Sequence, residues 1–189
     1  MRIIRKSEHR LVPWRNGQGT TREIIQNPDA PADGRFDWRL SIATVDRSGP
    51  FSVFPGIDRT IAVLSGDGFM LRVADQEAHL STQSSPYAFA GELVAAALVA
   101  GGPSSDLNIM TRRAAFRHGM TRLPAGASTI ARNAAITILL TTGPLRLSVD
   151  GRDHHLDPLD TALFDGPGTD LGVTMPAGTS AFCIAINPA

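Results

Sequence analysis

Three segments of the chain gather the side chains that could do chemistry. They are Pro13-Trp14-Arg15-Asn16-Gly17-Gln18-Gly19-Thr20-Thr21-Arg22-Glu23, the stretch from Phe36 to Arg59, and Gly101 to Arg113. Each mixes tryptophan, arginine, aspartate or asparagine with turn-forming glycines, a polar content that packing alone does not require. Between Asp37 and Ala43 the two-residue period of a strand puts Trp38, Leu40 and Ile42 on one face and Arg39 and Ser41 on the other. One face would seal a core and the other look into a cavity. Arginine is the natural clamp for a carboxylate, because its planar fork makes two parallel charge-assisted hydrogen bonds. Simpler roles stand beside this one. Trp14 and Trp38 fit as core aromatics and Asn16-Gly17 as a turn. Asp58-Arg59, and Asp106 with Arg112 or Arg113, fit as ion pairs that satisfy one another.

Other chemistries lack their residues. The chain has no His-Glu-x-x-His, no Walker loop and no Gly-x-Ser-x-Gly elbow. Gly17-Gln18-Gly19 begins like a dinucleotide fingerprint but lacks the third glycine and a preceding strand, so it reads as a turn. His9, His79, His118, His154 and His155 fall in no metal-ligand spacing, and adjacent His154 and His155 point to opposite faces of any strand. Cys183 lies in the apolar run Ala-Phe-Cys-Ile-Ala-Ile, which reads as a small core residue, and a single cysteine excludes an internal disulfide.

The elements that must hold these residues are strands. Trp38 to Ile42, Thr60 to Leu64, Phe69 to Val73, Thr137 to Leu140, Leu145 to Val149 and Ala181 to Ile186 are short runs of strand character between glycines and prolines. Ser65-Gly66-Asp67-Gly68 and Val149-Asp150-Gly151-Arg152 read as tight hairpins. Only Glu92 to Ala97 and Ala114 to His118 offer helix candidates, both short, so the expected class is all-β. Leu-Pro-Ala-Gly-Ala at 123–127 looks like a connection, which suggests one lobe over about 1–122 and a second over about 123–189.

Composition narrows the function classes. Eighteen basic residues balance eighteen acidic ones in 189, which argues against a general binder of nucleic acid or anionic membranes. The first ten residues carry charge every few positions and no apolar run, so no secretory leader and a cytoplasmic location are expected. Residues 107–149 carry six arginines and no acid, whereas 150–189 carry six aspartates and one arginine. Cross-strand pairing of opposite charges accounts for this asymmetry, and an anion pocket using some of the arginines is the sharper alternative.

Pro-Trp-Arg-Asn-Gly-Gln-Gly-Thr-Thr-Arg-Glu-Ile from residue 13 resembles the opening motif of the HutD/Ves family. Phe-Asp-Trp-Arg-Leu-Ser-Ile-Ala-Thr-Val-Asp from residue 36, with Gly-Pro-Phe-Ser-Val-Phe-Pro-Gly-Ile-Asp-Arg from residue 49, looks like its central block. Gly-Gly-Pro-Ser-Ser-Asp-Leu-Asn-Ile-Met-Thr-Arg-Arg from residue 101 is similar to its third. The resemblance implies a cupin-type fold with two β-barrel or β-sandwich lobes, a bicupin. It also implies a tie to bacterial histidine catabolism, with a small acidic ligand such as formylglutamate or urocanate; Ves-type members are associated with stress or cold response. The residues on matching motifs that could line a ligand site are Trp14, Asn16, Arg39, Ser41, Asp58, Arg59, Asp106, Asn108 and Arg112.

Metal-binding cupins place imidazoles and a carboxylate before a hairpin. Here Phe51 and Phe54 occupy that region and Arg59 follows, so no metal and no other cofactor are expected. The leading expectation is a metal-free binder of a small carboxylate with a regulatory role in histidine catabolism and no catalytic residues. A metal-independent isomerase or hydrolase acting on a small acid is the alternative, with Asp58 and Asp106 as the nearest titratable groups. A stress-associated interaction module is the third reading, with a homodimer through exposed strand edges left open.

Overall fold

The computed structural model describes residues 1–13, 20–28 and 35–189. Trp14, Asn16 and the Gly17–Gly19 turn therefore lie outside the described residues. The chain divides into two compact units, residues 10–117 together with Ala189, and residues 1–9 with 118–188.

Strand β1 (Arg2–Ile4) belongs to the second of these units. The first is built from β2 (Arg10–Pro13), β3 (Thr20–Asn27), β4 (Trp38–Val45), β5 (Gly49–Pro50), β6 (Ile57–Gly66), β7 (Phe69–Val73), β8 (Gln76–Leu80), β9 (Tyr87–Ala90), β10 (Ala95–Leu98) and β11 (Ser104–Arg112). The other continues with β12 (Phe116–Leu123), β13 (Gly126–Arg132), β14 (Ile136–Thr141), β15 (Leu145–Val149), β16 (Arg152–Leu156), β17 (Thr161–Asp165), β18 (Gly168–Met175) and β19 (Ala181–Pro188). The two helix candidates are absent from this order. Glu92 to Ala97 runs through a turn into β10, and Ala114 to His118 through a turn into β12.

In the first unit a six-stranded sheet, β2-β3-β4-β11-β6-β9, faces a four-stranded one, β5-β10-β7-β8. In the second a five-stranded sheet, β1-β17-β14-β19-β12, faces β13-β18-β15-β16. Adding eight to each strand number turns β4-β11-β6-β9 into β12-β19-β14-β17, and β5-β10-β7-β8 into β13-β18-β15-β16. The same eight-stranded connectivity thus occurs twice, in two-sheet sandwiches of the cupin type. The paired sheets of each unit stay separate among the described residues, so each is a sandwich and not a closed barrel.

Each sandwich has its own core. Val45, Ile61 and Val63 meet Phe69, Leu71, Val73, Leu80, Ala95 and Ala97 in the first. Leu139, Ala162, Phe164 and Ala181 meet Ile130, Leu145, Leu147, Leu156, Leu171, Val173 and Met175 in the second. Cys183 packs against that second core, and burial pushes its thiol up to about 11. Strands of the four-stranded sheets alternate buried and exposed residues, as Phe69–Val73 and Leu145–Val149 do, because one face meets water. The central β6 and β14 are buried on both faces, which is why Thr60 to Leu64 reads as an almost continuous apolar run.

Of the two expected hairpins one forms; Ser65-Gly66-Asp67-Gly68 instead crosses from β6 in one sheet to β7 in the other. Between β15 and β16, Asp150 and Gly151 take φ of 52° and 73°, the left-handed pair that a tight two-residue turn demands. The charge asymmetry resolves in part into local pairs, with Arg146 bound to Asp153 at 2.6 Å across β15 and β16. The N-terminal residues join the second unit through β1 against β17 and through Asp160. That buried carboxylate accepts from Arg5 Nη1 at 2.6 Å and from the backbone N–H groups of Lys6 and Asp157.

Candidate functional site

The antiparallel register of the six-stranded sheet lays side chains in rows across its interior face. Arg39 lies opposite Gln26 and Met110, Met110 opposite Arg59, and Arg59 opposite Phe89. In the next row Ser41 lies opposite Glu23 and Asn108, and Asn108 opposite Ile61. In the third, Asp106 sits between Ala43 and Val63. Ile61 and Val63 belong to the core between the two sheets, so the face bearing these polar side chains is the inner one.

Five of the nine residues expected from sequence meet here: Arg39, Ser41, Arg59, Asp106 and Asn108. Asp106 is 0% exposed and Arg59 only 4%. Asn108 links them, accepting from Arg59 Nη2 at 2.9 Å and donating through Nδ2 to Asp106 Oδ1 at 2.5 Å. Arg59 Nη1 reaches the Ser52 carbonyl at 3.3 Å, and its guanidinium lies 5.0–5.5 Å from the ring centres of Phe51, Phe54 and Phe89. Arg39 is served more poorly. Its guanidinium lies over Phe36 at 4.6 Å and near Phe54 at 5.6 Å, and its Nη2 reaches the Met110 sulfur at 3.3 Å. Among the described residues the Nε atoms of Arg39 and Arg59 and Oδ2 of Asp106 are buried without a hydrogen-bond partner.

Burial sets the electrostatics. It lowers the Arg39 pKa against the pull of Glu23. It brings Arg59 down to about 10, with Asp106 opposing and Arg39 adding to the shift. Both arginines keep their protons at neutral pH. Burial lifts Asp106 to about 7, against the attraction of Arg59 and the hydrogen bond from Asn108.

Asp58 and Arg112 lie elsewhere. Asp58 accepts from Arg113 Nε at 2.8 Å, and Arg113 also holds Glu92. Arg112, at the end of β11, donates from Nε to Asp37 Oδ1 at 2.9 Å. These are half-exposed surface pairs. The structure adds residues that sequence reasoning passed over: Glu23, Met110, Phe36 and Phe89. Phe51 and Phe54, read from sequence only as positions lacking imidazoles, supply ring faces to the guanidiniums. Glu23 closes the first motif. A register shift between Glu23 and Ile25 decides which way it faces, and nothing in the sequence announces it.

The arrangement suits an anion. The buried Arg59 and the partly buried Arg39, each with an Nε unpartnered among the described residues, offer donors to an acidic group, with Glu23 and Asp106 as the opposing charges of the same face. No group of three or more His, Cys, Asp or Glu able to hold a metal occurs among the described residues. No helix of the described residues is long and apolar enough to cross a membrane.

A family model described as HutD matches residues 6–182. An uncharacterized 21.2 kDa protein from the hutC 3' region of Pseudomonas putida is 32% identical over 191 residues, covering 97% of this chain and 95% of that protein. Protein Ves of Citrobacter koseri is 48% identical over 101 residues, 53% of this chain and 52% of its own length. The structure of HutD from Pseudomonas fluorescens SBW25 is similar over 100% of this chain and 98% of that one, with a TM-score of 0.84 and 26% identity. Salicylate 1,2-dioxygenase from Pseudoaminobacter salicylatoxidans, at 10% identity and a TM-score of 0.63 over 97% of this chain and 80% of that one, shares the fold alone.

Proposed function

The chain belongs to the HutD family, and from that premise we propose that it binds a small carboxylate without a metal and serves a regulatory role in histidine catabolism. Arg39 carries the reading. It is a partly buried guanidinium whose Nε has no partner among the described residues and whose Nη2 reaches a thioether sulfur. Glu23 offsets its charge only through space, and an anionic ligand would take up the donor that the described residues leave unmet. Phe36, Phe51, Phe54 and Met110 supply the apolar wall that small-molecule sites use around a few polar groups. The pathway assignment rests on the family and on the hutC-region relative in Pseudomonas putida; a formylglutamate- or urocanate-like acid and a cytoplasmic setting go with it.

Thermal unfolding of chelator-treated protein with formylglutamate and urocanate tests this. A ligand at 100 times its Kd stabilises the fold by about 2.7 kcal/mol, and Arg39→Met should abolish that shift. Equal shifts in wild type and variant would remove the clamp. One observation favours a second reading: the Asp106 carboxyl, held near 7 in a buried site, is poised for proton transfer. Turnover of either acid by the purified protein, lost in Asp106→Asn, would establish an acid–base enzyme instead.

A further inference from the structure

Resting on the carboxylate reading, we infer that Phe54, seated on Gly91, is the positioning residue that sets both guanidiniums for the ligand. Phe36 lies under Arg39, and Phe51 and Phe89 lie near Arg59. Phe54 alone among the described residues lies near both, 5.6 Å from the Arg39 guanidinium and 5.5 Å from that of Arg59. It also packs with Phe36, Ile57 and Met110 in a small apolar cluster, and the Met110 sulfur accepts from Arg39 Nη2 at 3.3 Å. With its Nε unpartnered among the described residues, Arg39 is held more by this packing than by hydrogen bonds. Its guanidinium therefore follows the ring.

The ring is placed by a glycine. Phe54 stands between β5 and β6, outside any strand. Its N–H donates to the Gly91 carbonyl at 2.8 Å, and the Gly91 N–H donates to the Ile57 carbonyl at 2.7 Å. A Cβ on Gly91 would lie 2.8 Å from the carbonyl oxygens of both Phe54 and Ile57, and 3.2 Å from Phe54 Cβ. Space, and not a left-handed backbone, makes this position a glycine. Ile57 opens β6 and pairs with Arg112 of β11, so the sheet holds it. Phe54 has no such strand partner, and a side chain at position 91 displaces Phe54 first. The same segment carries the Ser52 carbonyl, which accepts from Arg59 Nη1 at 3.3 Å, so Arg59 shifts with it.

Gly91→Ala, Phe54→Leu and Phe54→Tyr, the last of which keeps the ring, test the inference. Proton–nitrogen NMR resonances of the arginine Nε–H groups report guanidinium position through the ring currents of the aromatic side chains. Arg132, over Phe164 in the other sandwich, is the internal control. Gly91→Ala and Phe54→Leu should move the Arg39 and Arg59 resonances and leave that of Arg132 in place. Calorimetric titration with formylglutamate and urocanate should show affinity about tenfold weaker in both variants, as for one lost hydrogen bond to a charged group. Phe54→Tyr should hold both readouts at wild-type values. Should Gly91→Ala not fold, Phe54→Leu decides by the same readouts. Unmoved Arg39 and Arg59 resonances would overturn the positioning role whether or not an acid binds. So would moved resonances with unchanged affinity, or an Arg132 resonance that moves with them, which marks a general loss of structure. Binding of neither acid by the wild type would overturn the carboxylate reading, with the resonances still deciding the role of Phe54.

Discussion

The two sandwiches share one connectivity and fill it differently. In the first, Arg59 lies opposite Phe89 and Met110, Asn108 opposite Ile61, and Asp106 opposite Val63. In the second, the strands eight further on place Thr137 opposite Phe164 and Ala185, Cys183 opposite Leu139, and Ala181 opposite Thr141. Where the first unit has arginine, asparagine and aspartate, the second has threonine, cysteine and alanine. A guanidinium persists over the phenyl ring, Arg132 at 4.7 Å from Phe164, but it comes from β13 and bonds the Gly166 carbonyl. The comparison teaches that this sandwich closes without arginine, asparagine or aspartate at the matching positions. The polar row of the first unit is therefore no requirement of the connectivity, which supports the ligand reading proposed above.

Four outcomes would sharpen or break that contrast. Leu147, fully buried in the second core, should carry ordinary packing energy, so Leu147→Ala should cost about 3–5 kcal/mol by denaturant unfolding. Asp106 should give the first unit a pH signature. Folded Asp106 holds its proton to about 7, whereas an unfolded aspartate releases it near 3.9. Between those values the folded state binds the extra proton, so this group's contribution to stability is present at low pH and fades as pH rises. The ceiling is about 4 kcal/mol, and Asp106→Asn should flatten that part of the stability profile between about pH 4 and 8. Parallel profiles for wild type and variant would refute the buried-acid account.

Arg39→Met should leave the unligated protein as stable as wild type or more stable by about 1 kcal/mol, because it exchanges a partly buried, poorly hydrogen-bonded charge for an apolar side chain. A loss comparable to that of Leu147→Ala would make Arg39 structural and dissolve the contrast. The smallest effect belongs to the surface. Arg113→Ala should leave both the unfolding midpoint and carboxylate affinity at wild-type values, since its bridges to Asp58 and Glu92 are solvent-exposed.

Adjacent residues show how far the sequence could be read. Asp58 and Arg59 stand side by side in β6, and period two sends one to a half-exposed bridge and the other to the interior. Alternation in Trp38 to Ala43 correctly separated Arg39 and Ser41 from Trp38, Leu40 and Ile42, and Arg39 shares its face with Asn108 and Asp106 through the β4–β11 register. Arg112 has the same parity as Asn108 and Met110 but lies at the strand end, where Asp37 takes it. Parity tells which residues share a face; position along the strand tells which of them are covered.

The amino-acid order by itself determined the all-β class, the Asp150-Gly151 hairpin turn and the family, because strand alternation, turn conformation and motif are properties of neighbouring residues. That Ser65-Gly66-Asp67-Gly68 crosses between sheets was not legible there. Only the tertiary structure decided which polar side chains meet. Asp106 and Arg59 come together because β11 pairs with β6 across more than forty residues of chain, with Asn108 between their side chains. Local sequence assigns a side chain to one face of its strand. Which face the opposite sheet covers depends on segments far away, and that covering turns ordinary charges into buried ones.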